Sequence, residues 1–374
     1  MRGGEKVLES LCRVFPEADI FTLFYEPEAV SPVIRNRNVK ASFLNPFRRV
    51  YRSLLPLMPM ALEDFDLRPY DLVISSESGP AKGVLTSATS RHFCYCHTPM
   101  RYLWELYPAH RHEFGENIIK RTALAPIANY MRMWDYSTAA RVDGFIANSV
   151  NVKRRVWRTY RRRSTVVNPP VAVDTFRYQP AEDYFLIVGE MVAYKRLDYA
   201  IRLFSQSGRK VKVVGQGPEY KSLKKLSGPS VEFCGRVTET QLIGLYSRCR
   251  ALIVPGEEDF GITMVEALAS GKPVIAVARG GAVEIVRNGQ GILYSDANEI
   301  SLGDALRSFD RIEPQIEPRS LIDSAADYSE PVFQRRFLET IGEMWSPRSR
   351  QEAPPTIARP GAGPVLVHER ASGG

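Results

Sequence analysis

Two carboxylates, Glu258 and Glu266, bracket the predicted start of a helix and are the residues best suited to chemistry in this sequence. The apolar run 251–254 predicts a buried strand, a turn with glycine follows, and 262–270 has apolar residues at helical spacing. Ligands bind beyond the carboxyl ends of parallel strands, where helix N-termini attract phosphate. Because carboxylates suit hydroxyl groups, the segment indicates a site for a nucleotide sugar, although a capping acid and a helix salt bridge would give the same spacing.

Neighbouring groups could complete this site. Phe260, Gly261 and Ile262 stand at the predicted helix start, where free backbone N–H groups can bind a phosphate or a sugar hydroxyl. Arg236 follows another predicted strand, 231–234. It could lie beside a nucleotide base, or it could belong to an ordinary turn.

Two further residues follow predicted strands and could face a ligand. Lys195 comes after the strand 184–188, where a preplaced cation could stabilise the charge of a departing diphosphate. A plain surface cation is the alternative. His97 follows the strand 92–96 and is well placed to face a cleft between domains, although a single histidine is more often structural.

The potential metal ligands do not form a convincing set. Asp64 and Asp66 match the Asp-x-Asp pattern of metal-dependent sugar transferases, but they lie in an irregular segment, so we expect a turn. Cys94 and Cys96 share a strand face, but no His or further Cys nearby completes a metal set. The five cysteines fit buried thiols better than a disulfide framework. We therefore expect no bound metal and no cofactor.

The elements that must position these residues form an α/β pattern. Apolar strand-like runs alternate with helical stretches, clearly in the second half and more loosely in the first, which predicts parallel sheets covered on both faces. The prolines at 169–170 stiffen a connector. We predict two Rossmann-like domains, 1–170 and 171–335, then a C-terminal helix, 336–347, and a disordered tail rich in Pro and Gly, 348–374.

The charge of the chain is mildly basic, because 50 Lys and Arg residues exceed 42 Asp and Glu residues by eight. Segment 153–163 is rich in Lys and Arg and could face a nucleic acid, an anionic membrane or a diphosphate, or it could be a solvated helix face. Segment 35–62 mixes arginines with aromatic residues and could touch a membrane or pack in the core. The absence of a compact basic and aromatic motif argues against nucleic acid. The apolar runs are too short to span a bilayer, so any membrane contact would be peripheral.

Jointly, the motifs resemble those of the retaining glycosyltransferases of family four, which have the two-domain GT-B architecture. The resemblance covers roughly residues 3–337. It rests on segments 3–6, 75–84, 96–107, 146–149, 189–196, 215–218, 235–237 and 258–266. Segments 76–84 and 97–102 look like those of bacterial exopolysaccharide α-mannosyltransferases, which use GDP-mannose and extend a glycan on a polyprenyl diphosphate.

The resemblance implies separate roles on the donor side. Glu258 would contact donor-sugar hydroxyls near the reacting carbon. Glu266 would hold the ribose, and Lys195 would bind the donor diphosphate. Members of the family retain anomeric configuration through a front-side, ion-pair-like displacement, and they generally need no metal.

The resemblance also implies roles in the first domain. His97 would line the acceptor side close to the sugar. Gly3 and Gly4 would form the tight loop that approaches the phosphates. The expected catalytic residues are therefore Glu258, His97 and Lys195.

The sequence departs from the family pattern at two places. Many members carry Arg where Glu190 stands, so we expect Arg196 to substitute for the absent cation. The family also begins with a strand that leads into the Gly-Gly loop, whereas this chain starts two residues before Gly3. We expect that first strand to be missing, leaving an exposed sheet edge and a less stable or less active form than one with upstream residues.

These observations predict a glycosyltransferase that moves mannose from GDP-mannose to a polyprenyl-diphosphate-linked oligosaccharide in exopolysaccharide or O-antigen synthesis. It would be cytoplasmic and peripheral on the inner face of the bacterial cytoplasmic membrane, with anionic lipid as a partner. The same fold with a UDP-sugar donor and a non-catalytic nucleotide-sugar-binding protein are the alternatives. The acceptor glycan, the linkage and the oligomeric state do not follow from the sequence.

Overall fold

The computed structural model describes residues 3–108, 118–345 and 363–371. The chain divides into a first unit, residues 1–169 with 333–374, and a second unit, residues 170–332. The strands of the described residues are, in chain order, β1 (Asp19–Tyr25), β2 (Val39–Ala41), β3 (Leu72–Glu77), β4 (Arg91–Cys96), β5 (Gly144–Ala147), β6 (Ser164–Val166), β7 (Phe185–Val188), β8 (Val211–Val214), β9 (Val231–Gly235), β10 (Leu252–Val254), β11 (Val274–Val277), β12 (Gly291–Tyr294) and β13 (Val365–Ala371).

The α-helices of the same residues connect and cover these strands. They are α1 (Gly3–Val14), α2 (Pro32–Arg35), α3 (Met58–Glu63), α4 (Ile118–Thr138), α5 (Val150–Tyr160), α6 (Leu197–Ser207), α7 (Tyr220–Leu226), α8 (Glu239–Arg248), α9 (Ile262–Ala269), α10 (Ala282–Ile285), α11 (Glu299–Ile312), α12 (Pro318–Ala325) and α13 (Glu330–Trp345). Among the described residues, no helix is both long and apolar enough to cross a bilayer.

The described residues of each unit form one parallel sheet. The strand order is β2-β1-β13-β3-β4-β5-β6 in the first unit and β12-β11-β10-β7-β8-β9 in the second. All of these strand pairs are parallel. The prediction of two parallel-sheet, Rossmann-like domains is therefore confirmed.

The apolar strand runs are explained by burial on both faces of the sheet. In the second unit, Leu252 and Val254 of β10 pack into one hydrophobic cluster, while Ile253 between them packs into another. Successive side chains of a strand point to opposite faces, so a strand covered on both sides must be apolar throughout.

The first sheet contains a strand that the sequence analysis did not predict. Strand β13 lies between β1 and β3 and is parallel to both. Val365 and Val367 pack on one face of the sheet and Leu366 on the other, and all three are buried. The prediction of a disordered tail is therefore wrong for residues 365–371. Residues 348–362 and 372–374 lie outside the described residues.

The same strand corrects the expectation of an exposed edge inside the first sheet. The expectation was that loss of a normally central strand would expose a sheet edge. Strand β13 lies between β1 and β3, pairing with β1 from Val365 to Ala371 and with β3 from Val365 to His368. The expectation failed because parallel pairing depends on packing between distant parts of the chain, which local composition does not reveal.

Candidate functional site

The main candidate site of the second unit is an ion pair between Lys195 and Glu258. Lys195 follows β7, and Glu258 follows β10, the strand that neighbours β7 in the sheet. Because parallel strands end at the same edge, the two side chains meet, with 3.0 Å between Lys195 Nζ and Glu258 Oε1. Both side chains are mostly buried, at 18% and 22% exposure. The structure thus brings together two of the residues that the sequence singled out.

Glycines allow these loops to approach one another. A Cβ at Gly256 would lie 2.5 Å from the backbone oxygen of Lys195, which only glycine avoids. A Cβ at Gly189 would lie 3.2 Å from Lys195 Nζ. On the other side, the backbone N–H of Gly281 donates to the Glu258 carbonyl oxygen at 2.8 Å. The loop that carries Glu258 is therefore held by its neighbours on both sides.

The charge of Lys195 is stabilised at this position. Burial alone lowers the pKa of Lys195, but the adjacent Glu258 carboxylate outweighs it, so the pKa of Lys195 is raised above its usual value. An ammonium group has three N–H donors, and the Glu258 carboxylate occupies only one of them. Lys195 can therefore bind an anionic oxygen while it keeps its carboxylate partner.

Glu266 lies on α9 and is buried. The Tyr246 hydroxyl donates to Glu266 Oε2 at 2.9 Å, which orients the carboxylate. Helix α9 starts at Ile262 without a side-chain cap, after Gly261 in the left-handed region at φ 101°. A buried carboxylate and an uncapped helix start therefore belong to the same short element.

The side chain of Phe260 packs into the core instead of facing the candidate site. Its side chain is buried in the core and contacts the ring of Tyr328, with 5.6 Å between the ring centroids. Any ligand contact of Phe260 would therefore come from its backbone.

The other candidate cations of this unit are Arg196 and Arg236. Arg196 is exposed, and its guanidinium pairs with Asp198 at 3.2 Å and approaches the Ala297 carbonyl oxygen. Arg236 is exposed and follows β9, the edge strand, which β8 separates from β7. The contact with Glu258 is made by Lys195, and the described contacts of Arg196 lie elsewhere.

In the first unit, His97, Ser76 and Gly4 form a second cluster. Strands β3 and β4 are neighbours, and His97 Nε2 lies 3.0 Å from Ser76 Oγ. The His97 backbone N–H donates to the Glu77 carbonyl oxygen at 2.7 Å. Gly3 and Gly4 begin helix α1, and a Cβ at Gly4 would lie 3.7 Å from His97 Nε2. The structure thus brings His97 to the start of the helix that carries the Gly-Gly pair.

The ring of His97 is neutral at physiological pH. Burial, with a contribution from the nearby His368, lowers the pKa of His97 to about 3. A neutral imidazole offers one donor and one acceptor nitrogen. His97 can therefore hydrogen-bond hydroxyl groups without bringing a positive charge.

Two residues of this cluster, His368 and Glu369 on β13, were missed by sequence reasoning. His368 Nδ1 lies 3.0 Å from the Ser76 carbonyl oxygen. The Glu369 carboxylate accepts hydrogen bonds from the backbone N–H and the hydroxyl of Ser78, and a Cβ at Gly79 would lie 2.9 Å from its Oε2. The available signal was an apolar triplet followed by His and Glu, the same strand-then-polar pattern that pointed to His97.

A buried ionic cluster lies beneath the first-unit site. Lys82 Nζ is 3.6 Å from Glu77 Oε1 and also pairs with Asp135, and all three side chains are fully buried. Asp135 also accepts hydrogen bonds from Trp104 and Tyr160. Burial raises the pKa of Glu77 to about 7, although Lys82 opposes the shift. This cluster holds the end of β3 next to Ser76.

The Asp-x-Asp pair has a local role. Asp66 accepts hydrogen bonds from the guanidinium and the backbone N–H of Arg68. In the part of the chain that the structure describes, no group of three or more His, Cys, Asp or Glu residues could hold a metal ion.

The fold and the two clusters place the chain in a structural class. HepE from Anabaena, solved in complex with UDP-glucose, aligns with a TM-score of 0.67 over 92% of this chain and 96% of HepE, at 16% identity. This likeness shows the GT-B fold. The family described as Glycosyltransferase Family 4 matches residues 1–175, and Glycosyl transferases group 1 matches residues 176–326. The chain therefore belongs to the family 4 glycosyltransferases of the GT-B class.

Curated relatives match shorter regions. The O-antigen chain mannosyltransferase RfbU of Salmonella typhimurium is 27% identical over 200 residues, which are 50% of this chain and 56% of RfbU. A GDP-mannose-dependent alpha-mannosyltransferase of Corynebacterium glutamicum is 31% identical over 110 residues, 29% of this chain and 26% of the relative. The chain spans about half the length of the first curated relatives that it matches.

Proposed function

We propose that this protein is a retaining glycosyltransferase that transfers mannose from GDP-mannose to a polyprenyl-diphosphate-linked oligosaccharide, in exopolysaccharide or O-antigen synthesis. The observation that carries the proposal is the Lys195–Glu258 pair, with 3.0 Å between Nζ and Oε1 at the carboxyl edge of the second sheet. A fixed cation beside a carboxylate at this edge suits a ligand that combines a diphosphate with sugar hydroxyls.

Each donor-side residue has a separate task in this proposal. Lys195 binds the diphosphate and stabilises the negative charge that develops as the nucleotide leaves. Glu258 accepts hydrogen bonds from hydroxyls of the donor sugar, and its second oxygen can do so while the first holds Lys195. Glu266, oriented by Tyr246, binds the ribose. Since Lys195 supplies a cation, the proposed reaction needs no metal.

In this proposal the first unit binds the acceptor. His97, neutral and hydrogen-bonded to Ser76, would bind hydroxyl groups there. Transfer with retention would proceed by front-side displacement, in which the acceptor hydroxyl attacks as the diphosphate departs and gives its proton to the leaving phosphate oxygen. Gly3 and Gly4, at the start of α1, would let the backbone approach the phosphates.

The choice of mannose rests on the relatives, since RfbU is named an O-antigen chain mannosyltransferase and the Corynebacterium relative is named GDP-mannose-dependent. A UDP-sugar donor is the second candidate, because HepE, which shares the fold, was solved with UDP-glucose. A nucleotide-sugar binder without turnover is the third outcome that an assay must distinguish.

The proposal also has the protein bind peripherally to the inner face of the bacterial cytoplasmic membrane. The 3₁₀ segment Asn45–Leu57 exposes Phe47 and Val50, at 58% and 56%, beside Arg48 and Arg49. Apolar side chains next to arginines suit a surface of anionic lipid.

Co-sedimentation with vesicles tests the membrane contact. We expect Phe47→Ser to weaken binding to anionic vesicles, while Ile300→Ser, which removes an exposed apolar side chain of the second unit, leaves binding unchanged. Binding that ignores both anionic lipid and salt would contradict the membrane contact and leave the transferase proposal standing.

A donor panel with purified protein tests the reaction. GDP-mannose, UDP-glucose and UDP-galactose are each mixed with a short lipid-diphosphate-linked acceptor, and nucleotide release is measured. Lys195→Ala should lower kcat/KM by about 10²–10³-fold, because it removes a preplaced charge. Glu258→Ala should abolish transfer. Lys210→Ala is the matched control, since Lys210 also pairs with a carboxylate, Asp183, but lies before β8 and is exposed.

The outcomes separate the candidates. Release of GDP from GDP-mannose that depends on Lys195 and Glu258 supports the proposal. Release from UDP-sugars alone would favour the second candidate. Tight nucleotide binding without release would indicate a non-catalytic binder, and full activity of either site variant would show that the site is misplaced.

A further inference from the structure

The C-terminal strand β13 brings a second histidine to the carboxyl edge of the first sheet. In the strand register, His368 lies beside Ser76 of β3 on one side and Thr22 of β1 on the other. The side chain is 4% exposed. Its place is therefore determined by two parallel neighbours rather than by a loop.

A hydrogen bond determines which nitrogen of His368 carries the proton. Nδ1 lies 3.0 Å from the carbonyl oxygen of Ser76. A carbonyl oxygen can only accept, so Nδ1–H is the donor, and the tautomer that this hydrogen bond selects has its lone pair on Nε2. Among the described residues, Nε2 has no hydrogen-bond partner. His368 therefore has one acceptor nitrogen to offer to a ligand.

The surroundings of His368 place that nitrogen in the cluster already described. Ser76 contacts both imidazoles, through its carbonyl oxygen to His368 and through its hydroxyl to His97 Nε2 at 3.0 Å. A Cβ at Gly4 would lie 3.5 Å from Cε1 of His368 and 3.7 Å from Nε2 of His97. The two rings thus flank the first turn of α1, at a position where the chain carries no side chain.

We propose that His368 is a binding residue for the glycosyl acceptor, with Nε2 accepting a hydrogen bond from an acceptor hydroxyl beside His97. The inference deepens the proposed function and rests on it. Carbohydrate hydroxyls are donors as well as acceptors, so two adjacent imidazoles, one of them oriented by a backbone carbonyl, suit them. Strand β13 is then part of the substrate site as well as of the sheet.

The test separates Nε2 from the rest of the ring. His368→Asn keeps an amide N–H near the position of Nδ1, which can still donate to Ser76, and removes Nε2. We expect it to lower kcat/KM for a short lipid-diphosphate-linked disaccharide by about 10–100-fold, the loss of one well-placed hydrogen bond. The nucleotide Kd and the slow hydrolysis of the donor by water should stay unchanged, because neither involves the acceptor.

Two further variants keep the test informative. His368→Gln can place an amide oxygen near the position of Nε2 and should restore part of the transfer rate. His92→Asn is the matched control, since His92 is also buried in this sheet and contacts Ser75, but it lies near the other end of β4. It should lower thermal stability at most, without a selective loss of acceptor kcat/KM.

The results distinguish this inference from the function that it rests on. Wild-type kcat/KM in His368→Asn would overturn the inference alone. So would an equal loss of transfer and donor hydrolysis, since that pattern reports general damage. A wild-type protein that releases no nucleotide from any donor would overturn both proposals.

Discussion

Removal of β13 should unfold the first unit. Val365, Leu366 and Val367 are buried at the centre of the first sheet. Full burial of such side chains is worth about 1.5–3 kcal/mol each, so together they contribute roughly 5–9 kcal/mol. That sum is comparable to the whole stability of a typical domain, about 5–15 kcal/mol. Loss of the strand also leaves β1 and β3 with unpaired edges.

The experiment compares a chain that ends after Pro364 with one that ends after Ala371. Tryptophan fluorescence reports on the first unit alone, because the four tryptophans are Trp104, Trp134, Trp157 and Trp345. We expect the shorter chain to lose the fluorescence transition or to show a Tm lower by at least about 10 °C. Circular dichroism should still show unfolding of the second unit, which contains none of these residues.

A single substitution gives a graded version of the same test. Leu366→Ala should cost about 2–5 kcal/mol, because it leaves a cavity against the cluster on its face of the sheet. If both the shorter chain and Leu366→Ala melt within about 2 °C of the chain ending after Ala371, the reasoning from burial is wrong and β13 does not support the sheet.

Two further predictions concern the sites. Glu77→Gln removes a carboxyl whose pKa is raised by burial from its usual 4.5 to about 7. As the pH rises from 4.5 to 7, the wild-type protein should lose roughly 3 kcal/mol of unfolding free energy, because its folded state holds the Glu77 proton that the unfolded chain gives up, whereas the variant should not. Urea unfolding measures this. An equal difference in unfolding free energy between wild type and variant at about pH 5 and at about pH 8 would contradict the prediction. Gly256→Ala places a Cβ 2.5 Å from the Lys195 backbone oxygen and should weaken nucleotide binding about tenfold or more, whereas Gly342→Ala, at an open position, should bind like wild type in calorimetry.

The class of fold could be predicted from the sequence because each second-unit strand is a short apolar run followed by a helical pattern. The alternation of Leu252, Ile253 and Val254 between two clusters shows why such runs carry the signal. Strand β13 has the same local character. It was hidden because it follows a stretch rich in Pro and Gly, and because its partners lie about 300 residues away in the chain.

The candidate site was also predictable only in part from the sequence. Residues that follow strands, such as Lys195 and His97, could be named from the sequence, since carboxyl ends of parallel strands share an edge. Their roles stay predictions. The partners of these residues could not be named, because Ser76, Tyr246 and His368 become neighbours only through strand order and helix packing.

Local sequence is sufficient to predict the strands and helices in most of the chain, because hydrophobic periodicity is a property of each segment. Tertiary packing, in contrast, sets the pairing of Lys195 with Glu258, the pairing of Arg196 with Asp198, and the place of β13 in the first sheet. These outcomes depend on which strands become neighbours. That order is set by the packing of the whole core, to which each residue contributes only part of the free energy.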